Sequence, residues 1–220
     1  MQRLAHLRAA AGLLGLHLRA AATTALAGFA RALVLYRASA PSPIIHTLYR
    51  PALCIMAQGQ KVVRLESESY CYDPLHYLVA SVTLPVTGEV TLATADEPYL
   101  SLRLDIDPAE LGELIASAGP IGVPSRGNGR GLHVDQLDAP LLDAVLRLLR
   151  LLEAPRDIAM LAPLVRREIL YRLLCSPQGQ LLRDIATADS QAHRVNRAIE
   201  WLNRHYDAPL RIDELARVAN

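Results

Sequence analysis

The chain has 220 residues, of which 51% are hydrophobic and 20% are charged, and its 23 basic and 22 acidic residues leave a net charge of +1. This is the composition of an ordinary globular protein with its own core, and it excludes nucleic-acid binding driven by overall positive charge. The three cysteines form no CxxC pair, which favours a reduced, cytoplasmic protein over a secreted one held by disulfides.

The N-terminal segment, residues 1–28, is apolar enough to be compared with membrane and export segments. His6, Arg8, His17 and Arg19 interrupt it, so no run approaches the ~18 uncharged apolar residues that a membrane span needs. We therefore predict an amphipathic N-terminal helix with a lead-in and no membrane association. An export signal is the alternative for this segment.

Residues 29–118 have the pattern of a small β-domain. A first strand is predicted at residues 29–37, and short runs rich in Val, Ile, Tyr, Thr and Leu recur between turn residues over positions 48–106. Five or six strands of this kind can close on themselves and leave a cavity for a small ligand. The sequence DPAE at residues 107–110 combines an N-cap, a first-turn proline and a first-turn acid, which predicts a helix as far as Ala118.

The last predicted strand of this domain shows apolar and polar residues in strict alternation. Its apolar side should face a core, and its polar side should face water. The apolar members are Leu100, Leu102, Leu104 and Ile106, and the polar members are Ser101, Arg103 and Asp105.

After the β-domain the pattern becomes helical. Residues 119–136 are rich in glycine and are predicted to form a flexible surface loop. Residues 137–188 contain three predicted helices whose apolar stripes are wider than one neighbouring element can cover, so we predict that this region pairs two copies of the chain. The residues expected at this dimer interface are Leu141, Val145, Leu148, Leu149 and Leu152.

Residues 189–220 have the pattern of two helices joined by a tight connection. A small residue, Ala216, at the position where two helices cross, followed by Asn220 where a turn begins, is typical of the first helix of a helix-turn-helix unit. The pattern stops at this point. We therefore expect only the beginning of a DNA-binding domain, and the DNA-binding residues stay unknown.

Several motifs resemble a known bacterial family when they are taken in order. The chain is similar to the N-terminal effector domain of AraC/XylS-type transcriptional regulators from about residue 29, and residues 193–220 resemble the beginning of that family's DNA-binding domain. The motifs are LYRPALC at residues 48–54, AQGQK at 57–61, YDPLHYLV at 72–79, LPVTG at 84–88, PYLSLRLD at 98–105 and LAPLVRREILYRLL at 161–174.

The resemblance implies an α+β chain in which a cupin-like β-barrel, or jelly roll, is followed by an α-helical dimerisation region and a truncated helix-turn-helix. It implies a ligand-responsive transcription regulator, not an enzyme, of which this chain is mainly the sensor and dimerisation part. The expected partners are a small-molecule effector of unknown identity, promoter DNA through the complete C-terminal domain, and a second copy of the chain. No cofactor is implied.

The effector site is predicted from polar or large side chains that share strands with the core. Arg103 is the most informative of them, because an arginine within a sheet can pair with a ligand carboxylate. Asp105 lies on the same face, so an ion pair between these two side chains is the alternative. The candidates are His46, Tyr49, Cys54, Met56, Tyr72, His76, Tyr77 and Arg103.

Other functions compete with this hypothesis. A metal-dependent cupin enzyme needs clustered histidines, but His46, His76 and His133 are isolated in the sequence, so no metal site is predicted. A constitutive dimerisation module would fill the barrel with its own side chains. Redox sensing by Cys54 or Cys71 is a further alternative, although a thiol buried within a strand is ordinarily unreactive.

Overall fold

A computed structural model of the chain describes residues 33–119, 131–177, 179–187, 191–207 and 211–219. The predicted N-terminal helix, the start of the first predicted strand and most of the glycine-rich segment lie outside these residues. Strands dominate the first half of the described chain and helices the second. The strands are β1 (Leu33–Ala38), β2 (Ile45–Tyr49), β3 (Ala52–Gln58), β4 (Gln60–Leu65), β5 (Glu68–Tyr72), β6 (His76–Ala80), β7 (Leu84–Leu92), β8 (Tyr99–Asp105) and β9 (Leu132–Gln136).

The strands form two antiparallel sheets. The five-stranded sheet has the order β1-β8-β3-β6-β9, and the four-stranded sheet has the order β2-β7-β4-β5. Residues of both sheets share one buried cluster, so the sheets pack face to face. On β3, Cys54 and Met56 point into this space, whereas Leu53 and Ile55 point to the opposite side. The five-stranded sheet is therefore the middle of three layers, with the four-stranded sheet on one face and helices on the other.

Two of the helices begin at aspartate caps that the sequence signals. Asp107 Oδ1 accepts a hydrogen bond from the Ala109 N–H at 2.9 Å, and Asp138 Oδ1 accepts one from the Leu141 N–H at 2.8 Å. A proline follows each cap in the first turn of the helix. The helices are α1 (Pro108–Ala118), α2 (Ala139–Arg150), α3 (Ile158–Cys175), α4 (Gly179–Ala186), α5 (Gln191–Arg204) and α6 (Ile212–Ala219).

The prediction of a flexible loop over residues 119–136 is wrong for its last part. Residues Leu132–Gln136 form β9, which extends the five-stranded sheet by pairing with β6. Leu132 is buried in the core between the sheets, and Leu78 pairs with Val134 in the ladder.

The apolar stripe of α2 is covered within the chain, contrary to the prediction. Helix α2 packs against α3 and shares one buried cluster with the outer face of the five-stranded sheet, so two neighbours cover a stripe that is too wide for one. Its buried residues are therefore not free to meet a second subunit. Of the five predicted interface residues, Leu141, Val145, Leu148 and Leu149 are buried, and Leu152 is partly buried against the same core.

Helix α3 is tied to its neighbours by ion pairs. Glu168 accepts from Arg147 of α2 at 2.5 Å and from Arg172 of its own helix at 2.6 Å. Arg166 donates to Glu110 of α1 at 2.7 Å and to the main-chain oxygen of Asp105, at the end of β8, also at 2.7 Å. These contacts fix α3 across the helical layer and connect it directly to the five-stranded sheet.

The mixed α and β class, with antiparallel strands, agrees with the prediction, and the cupin-like assignment stays a prediction. The predicted pair of C-terminal helices corresponds to α5 and α6, which pack on each other. None of the helices among the described residues is both long and apolar enough to cross a bilayer.

Candidate ligand site between the sheets

A cavity of about 290 Å³ lies between the two sheets. Seven of the strands contribute to its walls, so its shape depends on how the sheets pack. Tyrosines, two serines, a threonine and three basic residues supply its polar groups, and no acidic residue belongs to the described lining. The lining residues are Tyr36, Arg37, Ala38, Ser42, Ile45, Thr47, Tyr49, Cys54, Lys61, Tyr72, Gly88, Val90, Tyr99, Ser101, Leu102 and Arg103.

Strand β8 supplies a polar row to this cavity. Tyr99, Ser101 and Arg103 alternate along the strand, and period-two geometry places them on the same side. The sequence predicts that this side faces water, but Ser101 is only 3% exposed. The prediction is wrong because the four-stranded sheet covers this face, so that the polar alternation marks a polar cavity.

Three hydroxyl groups form a chain along the cavity wall. Ser101 Oγ donates to Tyr99 Oη at 2.7 Å, and the Tyr72 hydroxyl hydrogen-bonds to the same phenol. Burial raises the pKa of Tyr99 to about 12 and holds the pKa of Tyr72 well above its usual range. Both phenols are therefore neutral at physiological pH and can donate hydrogen bonds.

Lys61 of β4 extends across this cavity toward Tyr49. Its Nζ lies 5.7 Å from the centroid of the Tyr49 ring, within the range of a cation–π interaction. Gly88 of β7 provides the room, because a Cβ at that position would lie 3.1 Å from Lys61 Cε. Burial lowers the pKa of the Lys61 amine, since an ammonium is less stable away from water. Among the described residues, no carboxylate lies within ion-pair distance of Lys61 Nζ.

Cys54 is the buried thiol beside this lysine. Burial raises the pKa of Cys54 to about 11, although the nearby Lys61 cation acts in the opposite direction. The group is therefore a neutral thiol at physiological pH, and this disfavours a thiolate-based redox sensor at Cys54. Cys71 is exposed on β5 and does not line the cavity.

Arg103 forms the ion pair given as the alternative and also lies in the cavity wall. Its Nε and Nη2 donate to the two carboxylate oxygens of Asp105 at 2.7 and 3.1 Å, so the predicted ion pair is present. The side chain nevertheless lines the cavity. Arg103 therefore connects the cavity wall to Asp105, whose main-chain oxygen accepts a hydrogen bond from Arg166 of α3.

The cavity brings together four of the eight predicted site residues, namely Tyr49, Cys54, Tyr72 and Arg103. The other four lie elsewhere. Met56 is buried in the core between the sheets, and His46 is exposed beside a groove that Arg64 also lines. His76 Nδ1 is 2.8 Å from Asp73 Oδ1, and Tyr77 packs in the core on the helix side of the sheet.

Tyr36, Lys61, Tyr99 and Ser101 line the cavity but were not among the predicted residues. Two signals in the sequence point to the last three. Lys61 is the only lysine of the chain, and it shares its strand face with the fully buried Val63. Tyr99 and Ser101 share a face of β8 with Arg103, which was already a candidate.

Two further hollows have a different character. One of about 330 Å³ lies beside the end of α3, where Tyr77, Tyr171, Arg172 and Cys175 contribute to its walls. Another of about 410 Å³ includes the exposed His46 in its lining. The cavity between the sheets differs from both in its buried, convergent hydroxyl, ammonium and guanidinium groups, so it is the strongest candidate for a ligand site.

The arrangement of potential metal ligands does not support the hypothesis of a metal-dependent enzyme. His46 lies on β2, His76 begins β6 and His133 lies on β9. Within the part of the chain that the structure describes, no three His, Cys, Asp or Glu side chains are grouped as a metal site.

Comparison with solved structures reveals a similar fold in ToxT from Vibrio cholerae. Apo ToxT K231A from Vibrio cholerae strain SCE256 superposes with a TM-score of 0.53 at 5% identity, covering 84% of this chain and 69% of that one. ToxT from V. cholerae O395 gives a TM-score of 0.51 at 7% identity, covering 83% and 66%. ToxT from V. cholerae O395 bound to (E)-4-(8-methylnaphthalen-1-yl)but-3-enoic acid gives 0.52 at 9% identity, covering 83% and 68%. The chain thus spans about two thirds of these proteins, and at such low identity the likeness shows the fold alone.

Comparison with protein families gives the assignment. No curated protein matches the sequence. The family model described as the AraC-type transcriptional regulator N-terminus matches residues 30–181, a range that includes both sheets, the cavity and helices α1 to α3. This match covers well over half of the chain. The chain therefore belongs to the family of AraC-type transcriptional regulator N-terminal domains.

Proposed function

We propose that this chain is the sensor and dimerisation part of a ligand-responsive transcription regulator, and that the cavity between the sheets is its effector site. The observation that carries the proposal is a cavity of about 290 Å³ in which buried polar groups converge inside a domain of this regulator family. A constitutive dimerisation module would instead fill this space with its own side chains. One ToxT structure of similar fold holds a small carboxylic acid, which supports a ligand-binding role for such a domain.

The contacts around β8 suggest how an effector acts on the helices. Arg103 lines the cavity and pairs with Asp105, whose main-chain oxygen receives a hydrogen bond from Arg166. Arg166 belongs to α3, so a ligand that moves Arg103 changes the support of that helix. Such a ligand shifts the population of helix arrangements by its differential affinity for them.

DNA binding in this proposal belongs to the C-terminal domain of the regulator. Helices α5 and α6 are its first part; α5 packs on α4, and α6 packs on α5. A dimer that reorients two such domains alters how they fit two half-sites on promoter DNA. This is the expected output of effector binding in the cytoplasm.

Self-association is proposed through the exposed face of α3, because the α2 residues are buried. Met160 is 75% exposed and Leu164 63% exposed, and they stand one turn apart. Tyr171, 46% exposed, continues the same face two turns further along the helix. Isologous pairing of two such helices covers an apolar stripe that one chain leaves in water.

The function is tested with the intact regulator in its own cells. Chromatin immunoprecipitation should recover discrete promoter sites, and deletion of the regulator should change transcription of the adjoining genes. Filling the cavity with Gly88→Trp should preserve promoter occupancy and remove the response to growth conditions. Leu92→Trp, at an exposed position of the same strand that does not line the cavity, is the control that should keep the response. Absence of promoter occupancy by the wild-type regulator would contradict the proposal.

Metal analysis addresses the alternative of a cupin enzyme. Stoichiometric iron, manganese or zinc in the purified protein would support that class. A regulator of the proposed kind is expected to retain ligand binding after dialysis against a chelator.

A further inference from the structure

The cavity contains a cation for which the described residues provide no counter-charge. Lys61 Nζ lies over the Tyr49 ring, and the nearest interacting side chains are that phenol and the Cys54 thiol. Burial raises the pKa of Cys54 to about 11 and holds the pKa of Tyr49 far above its usual range, so both groups are neutral at physiological pH. They therefore cannot neutralise the ammonium.

A second, partly buried cation of this cavity shows the contrast. Arg103 is held by two hydrogen bonds to the carboxylate of Asp105. Within the described part of the chain, Lys61 meets the face of an aromatic ring and no carboxylate, and such a ring stabilises a cation by ~0.5–2 kcal/mol. Removing an ammonium from water costs more than this, and the lowered pKa of Lys61 reflects that imbalance. An anion placed beside Nζ would stabilise the ammonium and compensate for its lost hydration.

The hydroxyl chain offers a second group for the same anion. Tyr72, Tyr99 and Ser101 have three hydroxyl protons but share only two hydrogen bonds with one another. One O–H in this chain is therefore available to an acceptor that the described residues do not supply. A carboxylate oxygen is an acceptor only, and it suits both this donor and the ammonium.

The remaining walls limit the size and polarity of the ligand. Tyr36, Ile45, Val90 and Leu102 are aromatic or aliphatic, so most of the ligand surface meets apolar groups. At the packing density of a protein interior, about 290 Å³ holds roughly 10 to 15 non-hydrogen atoms. Long unbranched chains do not fit wholly within such a volume.

We propose that the cavity binds a compact amphipathic monocarboxylate, whose carboxylate pairs with Lys61 Nζ and accepts a hydrogen bond from the Tyr72–Tyr99–Ser101 hydroxyl chain. This inference rests on the proposed role of the cavity as the effector site, and it adds the chemical class of the effector and its anchor. Lys61 is then the residue that selects an anion over a neutral compound of the same shape.

Binding of matched acids and amides to the full 220-residue chain tests the class of ligand. The probes are 4-phenylbutanoic acid and octanoic acid, each beside its primary amide, and the measurement is isothermal titration calorimetry. At least one acid should bind ten-fold or more tightly than its amide. Lys61→Met should remove that preference. Arg64→Met is the control and should retain it, because Arg64 lies on the same strand as Lys61 but pairs with Glu89 of β7.

Nuclear magnetic resonance of the lysine side chain tests the anchor directly. Because Lys61 is the only lysine, selective ¹³C labelling gives one Cε signal, and its pH titration reports the pKa of this amine. Burial should place that pKa below the ordinary value in the free protein, and a bound acid should raise it, because an opposite charge favours the ammonium. The amide should leave it unchanged.

The outcomes separate this inference from the function on which it rests. Equal binding of acid and amide, unchanged affinity in a folded Lys61→Met protein, or no binding of any acid would overturn the carboxylate anchor. The proposed function would survive those results if Gly88→Trp still removed the regulatory response. If the Gly88→Trp regulator responded like the wild type, both the proposed function and the carboxylate anchor would be wrong.

Discussion

At the scale of single residues, the turn between β3 and β4 depends on a glycine. Gly59 has φ +90°, and a Cβ there would lie 2.7 Å from the Leu92 main-chain oxygen and 2.9 Å from Tyr99 Cα. Both the backbone conformation and the space exclude a side chain. The turn leads directly into β4 and so places Lys61 at the cavity. This glycine therefore also helps to position the site.

Substitution of this glycine should destabilise the protein. We expect Gly59→Ala to lower the free energy of unfolding by ~1–3 kcal/mol, because a positive φ is strained for alanine and the backbone atoms of Leu92 and Tyr99 must shift. Urea denaturation measures the loss. The control is Gly112→Ala in α1, where the nearest atom to the new Cβ is 3.8 Å away and a gain of ~0.5–1 kcal/mol is expected. Equal effects of the two substitutions would contradict this account.

The cysteines should differ in reactivity according to their burial. Cys71 and Cys175 are exposed, whereas Cys54 is buried with its pKa raised to about 11. In the native protein at pH 8, a thiol reagent should modify Cys71 and Cys175 quickly and Cys54 only after guanidinium unfolding. Mass spectrometry of the labelled peptides identifies each site, and rapid native labelling of Cys54 would show that the cavity exposes it.

The same thiol gives stability a definite dependence on pH. The folded state raises the pKa of Cys54 from 9.0 to about 11, so the unfolded chain releases this proton more readily. The contribution of the neutral thiol is therefore complete below pH 9 and is lost as the pH rises from 9 toward 11. Cys54→Ala should make the stability curve flatter in that window, although it lowers stability at pH 7 by leaving a small void.

At the scale of secondary-structure elements, the sequence predicts where helices and strands lie along the chain better than it predicts what packs against them. The start of α1 follows from the DPAE cap, because capping is a local interaction between neighbouring residues. The alternation on β8 predicts a strand correctly, but no local signal states whether its polar side faces water or a second sheet. Strand β9 was missed for the same reason, since its partner β6 lies more than fifty residues earlier.

Helix α2 shows the same limit for interfaces. A wide apolar stripe demonstrates only that a helix is covered, and it does not distinguish an internal neighbour from a second subunit. Here α3 and the five-stranded sheet provide the cover. Four of the predicted site residues lie in the cavity wall, and the sequence signal for them was a polar or sulfur-containing side chain within a strand. Identifying Lys61 required knowledge of which strand faces line the cavity.

Two substitutions in the helical layer distinguish core from interface. Leu148→Glu should prevent folding or cost more than ~4 kcal/mol, because it buries an unpaired charge beside a fully packed core. Leu164→Glu should change the free energy of unfolding by less than ~0.5 kcal/mol, because this side chain is 63% exposed, and should yield monomers at micromolar concentration. Sedimentation velocity and circular dichroism make the two measurements. A wild-type chain that is already monomeric would rule out the α3 interface.

At the scale of the whole molecule, the cavity and the helical layer meet at one short segment. Asp105 ends β8, holds Arg103 with its carboxylate and accepts from Arg166 with its main-chain oxygen. Arg166 also pairs with Glu110 of α1, so a single residue on α3 contacts a helix and the strand that lines the cavity. Regulation through this segment requires that the two arginines be energetically coupled.

A double-mutant cycle measures that coupling without any knowledge of the effector. Arg103→Met and Arg166→Gln should be non-additive in free energy of unfolding by ~0.5 kcal/mol or more, because both side chains act on Asp105. Arg103→Met combined with Arg172→Gln is the control, since Arg172 pairs with Glu168 and should add independently. If the Arg103 and Arg166 effects add as simply as those of the control pair, Asp105 does not transmit a change in the cavity to α3. The connection between effector and helices would then have to run through the apolar packing of the five-stranded sheet against α2 and α3.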